Sequence, residues 1–248
     1  MGKVMLVTGA SRGIGAATAR LAAERGYAVC VNYLRNRDAA DAVVAAIARA
    51  GGKALALGAD VASEADVARM FDGAQQALGP ISVLVNNAGI LEQQMRLEDI
   101  SLARLERVLA ANVTGTFLCS REAVRRMSTR RGGAGGAIVN VSSMAARLGS
   151  PGEYVDYAAA KGAVDALTVG LAKEVAGDGM RVNAVRPGLI YTDIHASGGE
   201  PGRVERLKDA VPLKRGGQPE EVARAILWLA SEEASYVTGA FIDVSGGR

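Results

Sequence analysis

The chain has 248 residues, 49% hydrophobic, 22% charged and only 4% aromatic, and its net charge of +3 with this apolar content excludes intrinsic disorder. No run reaches the roughly 18 apolar residues of a membrane span, and the apolar start at Val4–Val7 stops at Thr8-Gly9, too short for a signal-peptide core. Two cysteines, Cys30 and Cys119, cannot build a disulfide framework, and with His195 the single histidine no zinc-type cluster can form; a reducing cytoplasm and no metal are expected.

Short β-branched runs alternate with longer Ala-rich stretches throughout. In chain order the strands are predicted at Val4–Val7, Ala28–Asn32, Ala54–Leu57, Val83–Asn86, Ala137–Val141, Arg181–Val185 and Phe241–Val244. Helices are predicted between them at Gly13–Arg25, Asp38–Ala50, Glu64–Leu78, Leu102–Arg126, Tyr157–Ala176 and Pro219–Leu229. Most strands are apolar on both faces, as parallel strands covered by two helix layers must be. The pattern predicts an α/β fold, a doubly wound parallel sheet of about seven strands. No linker or composition shift divides it, so residues 1–248 read as one domain. From Pro187 to Gln218 the rhythm breaks into a Gly- and Pro-rich stretch, read as a lid over about 188–217 with a short helix near Leu207 and Val211.

The first strand runs into Thr8-Gly9-Ala10-Ser11-Arg12-Gly13-Ile14-Gly15 and then a helix. Glycines there let the chain turn sharply and let a pyrophosphate approach free N–H groups at a helix N-terminus. The second strand ends at Asn32-Tyr33-Leu34-Arg35, where an NAD site would place an acid for the ribose 2′-OH. None occurs before Asp38, which fits the first turn of a helix capped by Asn36. Arg35 and Arg12 could instead flank a 2′-phosphate, so NADP(H) is expected ahead of NAD(H). Asp60-Val61, Asn86-Asn87-Ala88-Gly89, Ser142-Ser143 and Pro187-Gly188 follow the third to sixth strands. All fall on the carboxyl edge of the sheet, where open parallel sheets bind ligands.

Tyr157 and Lys161 stand four residues apart, on one helix face. A cation beside a phenol stabilises the phenolate, which lowers the pKa and suits proton exchange with an alcohol or ketone. These motifs, with Asn112 on the helix after Gly89, resemble the short-chain dehydrogenase/reductase family over residues 3–248. Within it the likeness is to the 3-oxoacyl-carrier-protein reductase and glucose-dehydrogenase-like branch. The resemblance implies a catalytic tetrad of Asn112, Ser143, Tyr157 and Lys161. It implies cofactor contacts from Gly9, Ser11, Arg12, Gly13, Ile14 and Gly15, from Asn32, Tyr33 and Arg35, and from Asp60 and Val61 at the adenine. Asn86, Ala88 and Gly89 are implied too, with Tyr157 and Lys161 at the nicotinamide ribose and Pro187, Gly188, Ile190 and Thr192 at the carboxamide. The C-terminal strand resembles the one through which relatives form homotetramers.

Thirteen residues separate Ser143 from Tyr157, one more than is usual in the family, and the surplus lies in Gly149–Asp156. Ser142 is therefore a competing assignment, and the pocket wall is expected to differ. His195 reads as a surface or substrate-contacting lid residue, and Trp228 and Phe241 as core or subunit interface. Arg125, Arg126, Arg130 and Arg131 read as a solvated helix end, with an acidic acyl carrier protein as the alternative partner; neither nucleic acid nor membrane is expected. The expected activity is NADP(H)-linked hydride transfer to or from a small carbonyl or alcohol compound. A 3-oxoacyl-carrier-protein reductase is the alternative, and a catalytically silent dinucleotide sensor the weaker one.

Overall fold

In the computed structural model, which describes residues 3–248, seven strands form one sheet. They are β1 (Val4–Val7), β2 (Ala28–Tyr33), β3 (Ala54–Gly58), β4 (Ile81–Asn86), β5 (Gly136–Val141), β6 (Met180–Pro187) and β7 (Phe241–Val244). Their order is β3-β2-β1-β4-β5-β6-β7, every neighbouring pair parallel. The order reverses between β1 and β4, which opens a crevice at their carboxyl ends.

Side chains leave each strand alternately to two apolar layers. Met5, Val7, Val29 and Val31 pack on α1 (Gly13–Glu24), α2 (Arg37–Arg49) and α10 (Pro219–Ala230). Val4, Leu6, Cys30 and Leu84 face α3 (Glu64–Leu78), α5 (Gly115–Met127) and α7 (Val155–Val175). Phe71 of α3 is wholly buried there, so Phe71→Ala would remove about 3–5 kcal/mol of stability. Both cysteines are free and buried, which raises each thiol's pKa to about 12. As expected, Asn36 caps α2 by accepting from Ala39 N at 3.0 Å. Among the described residues no helix is long and apolar enough to cross a membrane.

The predicted helix Leu102–Arg126 is interrupted. α4 (Leu102–Leu109) passes into a π turn over Ala110–Thr114 before α5 begins. Asn112 Nδ2 donates to Val108 O at 2.9 Å and Ile90 O at 3.1 Å, while Thr116 Oγ1 donates to Asn112 O at 2.9 Å. Side chains thus take up backbone carbonyls at the widened turn, a bulge that often marks a functional position.

The stretch after β6 is packed. It carries α8 (Ile194–Ser197), α9 (Arg203–Leu207) and a 3₁₀ turn over Lys208–Ala210, with Leu189, Val204 and Val211 forming a third apolar cluster. The remaining short helix, α6 (Ala145–Leu148), precedes the extra residues before α7. Arg125, Arg130 and Arg131 are exposed, as a solvated helix end requires, and of the cluster Arg126 alone is partly buried. Arg126 stands 5.7 Å from the Phe71 ring centroid and bridges Glu122 and Asp72, Arg125 pairs with Glu122, and Arg130 pairs with Asp178. Trp228 is partly exposed, and Phe241 stacks 3.8 Å beneath the Arg186 guanidinium.

Candidate active site

At the reversal of strand order, the segment after β4 is bolted to the glycine turn after β1. Thr8 Oγ1 accepts from Asn87 N and Ala88 N, each at 3.0 Å, and Asn87 Nδ2 donates to the carbonyls of Thr8 and Gly9 at 2.9 Å. Gly9 has φ +60°, and a Cβ there would stand 2.9 Å from Ala88 Cα. Only glycine fits that approach. Gly13, also at positive φ, opens α1, whose first N–H groups are unpaired donors at the edge of the crevice.

The crevice is a cleft of about 1130 Å³, large enough for a dinucleotide with a small substrate. Gly9, Ser11, Arg12, Gly13 and Ile14 line one end, beside Asn32, Tyr33, Arg35, Asp60 and Val61. Ala88, Gly89, Tyr157 and Lys161 lie along its floor, and Pro187, Gly188, Ile190 and Thr192 along the far wall. Among the described residues neither Arg12 nor Arg35 is in an ion pair, so both guanidinium groups are available at the cleft.

Three expected cofactor residues have other duties. Gly15 does not line the cleft; a Cβ there would meet Asn87 Nδ2 at 2.5 Å, so its smallness serves the contact between α1 and the segment after β4. Asn86 is also absent from the lining, and its Nδ2 donates to Ser120 Oγ and Asn140 Oδ1, both at 2.9 Å. Asn32 reaches the cleft wall, yet its Oδ1 accepts from Gly9 N at 3.1 Å and its Nδ2 donates to Leu57 O and Ala59 O. It pins the glycine turn to β3.

Tyr157 and Lys161 project from the first turns of α7 towards the end of β5. Lys161 is buried, its Nζ donating to Val141 O at 2.8 Å and standing 5.5 Å from the Tyr157 ring centroid. Burial pulls the ammonium down to about 8, against a nearby Asp165 carboxylate that holds it up. Tyr157 is half-buried. The expected depression of its pKa is reversed: desolvation of the phenolate pushes it up to about 12, and a hydrogen bond with Ser143 offsets only part of that. Burial dominates over the neighbouring cation, so the phenol is a proton donor at neutral pH.

The two serines separate cleanly. Ser143 Oγ accepts from Ala145 N at 3.1 Å and reaches Tyr157, whereas Ser142 Oγ donates to Lys161 O at 3.3 Å and is buried. Asn112 lies behind the floor, not in it. Its Oδ1 is a buried acceptor without a partner, and a Cβ on Gly89 would fall 2.5 Å from that oxygen and 3.6 Å from Lys161 Nζ. Gly89 therefore lies between the amide and the ammonium.

The residues added before Tyr157 do line the mouth, through Ser150, Pro151, Glu153 and Tyr154. Glu153 takes a bidentate pair from Arg203 of the lid, Arg203 also reaches Glu200, and Met95 N donates to Glu153 O at 3.1 Å. Sequence patterning did not single out Glu153 or Arg203, because the partners lie fifty residues apart and neither belongs to a motif. His195 is buried, not on the outer surface, and it lines the cleft, where the lid reading placed it within reach of a substrate. Its Nε2 lies 3.0 Å from Ile190 O, Nδ1 has no partner, and burial lowers its pKa, which favours the neutral ring.

Residues 9–248 match a family described as enoyl-(acyl carrier protein) reductase. An uncharacterized oxidoreductase of Escherichia coli, YgfF, is 61% identical over 245 residues, covering 99% of both chains. A 3-oxoacyl-[acyl-carrier-protein] reductase of Synechocystis is 43% identical over 246 residues, covering 99% of this chain and 96% of that protein. The solved short-chain dehydrogenase/reductase of Serratia marcescens superposes with a TM-score of 0.90 at 36% identity, covering 100% of this chain and 98% of that one. With its parallel sheet, glycine turn and tyrosine–lysine helix face, the chain belongs to the short-chain dehydrogenase/reductase family and is an oxidoreductase.

Proposed function

We propose that the protein is an NADP(H)-dependent enzyme that exchanges a hydride between the cofactor and a carbonyl or secondary alcohol carbon of a small molecule. One observation carries this reading: Tyr157, Ser143 and Lys161 meet in the cleft whose other end presents the unpaired Arg12 and Arg35. The fit to a dinucleotide rests on the glycine cradle, which a Cβ at Gly9 would close, and on the free N–H groups of α1. Arg12 and Arg35 are two guanidinium groups available to a 2′-phosphate. NAD(H) would bind with the same cradle but without that pairing. Gly13, Ile14, Ser11, Asp60, Val61, Tyr33 and the Pro187–Thr192 wall are the further proposed contacts.

When bound, the cofactor supplies the hydride. Tyr157 donates its proton to the alkoxide forming at the substrate oxygen, and its raised pKa suits that acid role. Ser143 hydrogen-bonds the same oxygen. Lys161 holds positive charge beneath the phenol and would donate to the ribose of a bound cofactor. The orphaned Oδ1 of Asn112 supports its assignment to a proton relay towards Lys161.

Residues 1–248 are read as one domain with a lid at about 188–217, supported by a single sheet that takes strands from Val4 to Val244. Phe117 and Val169 are exposed on one helix layer and Trp228 on the other, which supports a homotetramer with two kinds of interface. Two buried free thiols suit a reducing cytoplasm. A 3-oxoacyl chain on an acyl carrier protein is the second reading, favoured by the name of the Synechocystis relative. Against it, Arg125, Arg126 and Arg130 are each paired with an acid, which lowers the net positive charge the cluster offers an acidic carrier. Oxidation of NADPH and NADH against a panel of small ketones, aldehydes and a carrier-bound 3-oxoacyl substrate tests all of this. Turnover of a small carbonyl with NADPH preferred is the expected result; no turnover with any carbonyl would leave a silent dinucleotide sensor.

A further inference from the structure

We propose that the buried ion pair between Arg104 and Asp156 is a positioning device for Tyr157, an inference that rests on Tyr157 being the proton donor. α7 begins without an ordinary cap, because Tyr154 at the N-cap makes no side-chain capping bond. The first-turn N–H groups of a helix have no partner inside it. The one on Tyr157 itself donates to Asp156 Oδ1 at 2.9 Å. Asp156 is in turn aimed by Arg104 of α4, with Nε at 2.7 Å from Oδ2 and Nη2 at 3.2 Å from Oδ1. The third nitrogen, Nη1, donates to Gln93 O.

Both side chains are almost wholly buried, at 4% and 2% exposure. Such a pair adds little to stability, since apolar residues of similar volume often do as well. Its distinctive product is orientation: a planar guanidinium fixes the carboxylate in two directions at once. One side chain thereby holds the start of the helix that carries Tyr157, the chain beside Leu91 in the cleft wall, and α4, which runs into the Asn112 turn. Arg107, one turn further along α4, grips Glu92 at 2.8 and 3.0 Å and reinforces the same wall. Neither Arg104 nor Asp156 lines the cleft; they act through the Tyr157 backbone.

The test removes the pair without leaving either charge buried alone, by combining Arg104→Met with Asp156→Leu. The expected protein melts near the parental temperature and binds NADPH with parental Kd. Its kcat for a small ketone is about tenfold to a hundredfold lower, the loss that misplacement by an ångström brings. A folded double variant with kcat within about twofold of the parent overturns the proposal. Arg104→Lys is the second arm should the apolar pair not fold. An ammonium keeps a charge opposite Asp156 but cannot hold both carboxylate oxygens and the Gln93 carbonyl, so kcat should fall at least about fivefold. Unchanged kcat there overturns the proposal as well. Hydrogen exchange at the Tyr157 amide needs no turnover and should quicken in both variants. A parent that reduces no carbonyl compound sinks the proton-donor reading, whereas unaltered exchange at Tyr157 in the variants sinks the positioning role.

Discussion

Ser142 and Ser143 are neighbours with opposite surroundings, and their substitutions should differ accordingly. Ser143→Ala removes a hydroxyl that reaches Tyr157, so steady-state kinetics should show kcat down by ~10²-fold or more. Ser142→Ala loses one 3.3 Å bond to the Lys161 carbonyl and should keep kcat within about threefold, a net hydrogen bond being worth ~0.5–1.5 kcal/mol. The reverse order would exchange their roles. Lys161, at about 8, gives the pH profile its sign. It is charged below that value and loses its charge above it, so reductive kcat/KM should decline as pH rises through about 8. Asp165 raises the Lys161 value, hence Asp165→Asn should move this limb to lower pH; a limb that stays in place would contradict the coupling. For the cofactor, Arg12→Ala with Arg35→Ala should reduce the NADPH-over-NADH ratio of kcat/KM by about one to two decades for each charge-assisted bond lost. An unchanged ratio would remove both arginines from 2′-phosphate recognition.

Three elements surround the mouth, and hydrogen bonds and an ion pair hold them together: the segment from Leu91 to Met95, the extra residues before α7, and the lid around α8 and α9. Glu153 is the junction, because its carboxylate binds Arg203 and its carbonyl binds Met95 N. Glu153→Ala leaves the Arg203 side chain, 8% exposed, with Glu200 alone. Glu153 is itself partly exposed, so the stability loss should be modest, ~1–3 kcal/mol, with the larger effect local to the lid. Hydrogen exchange over residues 194–207 should quicken and KM for the carbonyl substrate should rise several-fold, while the NADPH Kd holds. Unchanged exchange in that segment would show the lid to be held by the Leu189–Val204–Val211 cluster instead.

Across the whole molecule, what was readable from the sequence divides along physical lines. The sheet was readable because both faces of most strands are buried, which leaves short apolar runs such as Val4–Val7 and Val83–Val85. The glycine turn and the tyrosine–lysine spacing were readable because each satisfies a local constraint. Features set by distant partners were not. The π turn at Asn112 depends on a side chain reaching back to Ile90 O, and propensity alone continues a helix through it. Asn86 belongs to a buried Asn86–Asn140–Thr168 chain that joins two strands to α7, which no local pattern announces. The raised pKa of Tyr157 likewise depends on how much protein surrounds it, whereas the neighbouring lysine suggested the opposite sign. These features converge on one reacting centre, where Tyr157 gives up a proton. Single-turnover reduction of a small ketone by Tyr157→Phe, with NADPH binding measured alongside, tests that claim most directly. The account predicts parental NADPH affinity with a rate lower by at least ~10²-fold, the range for lost general acid catalysis. A variant that binds NADPH and reduces the ketone at close to the parental rate would contradict it.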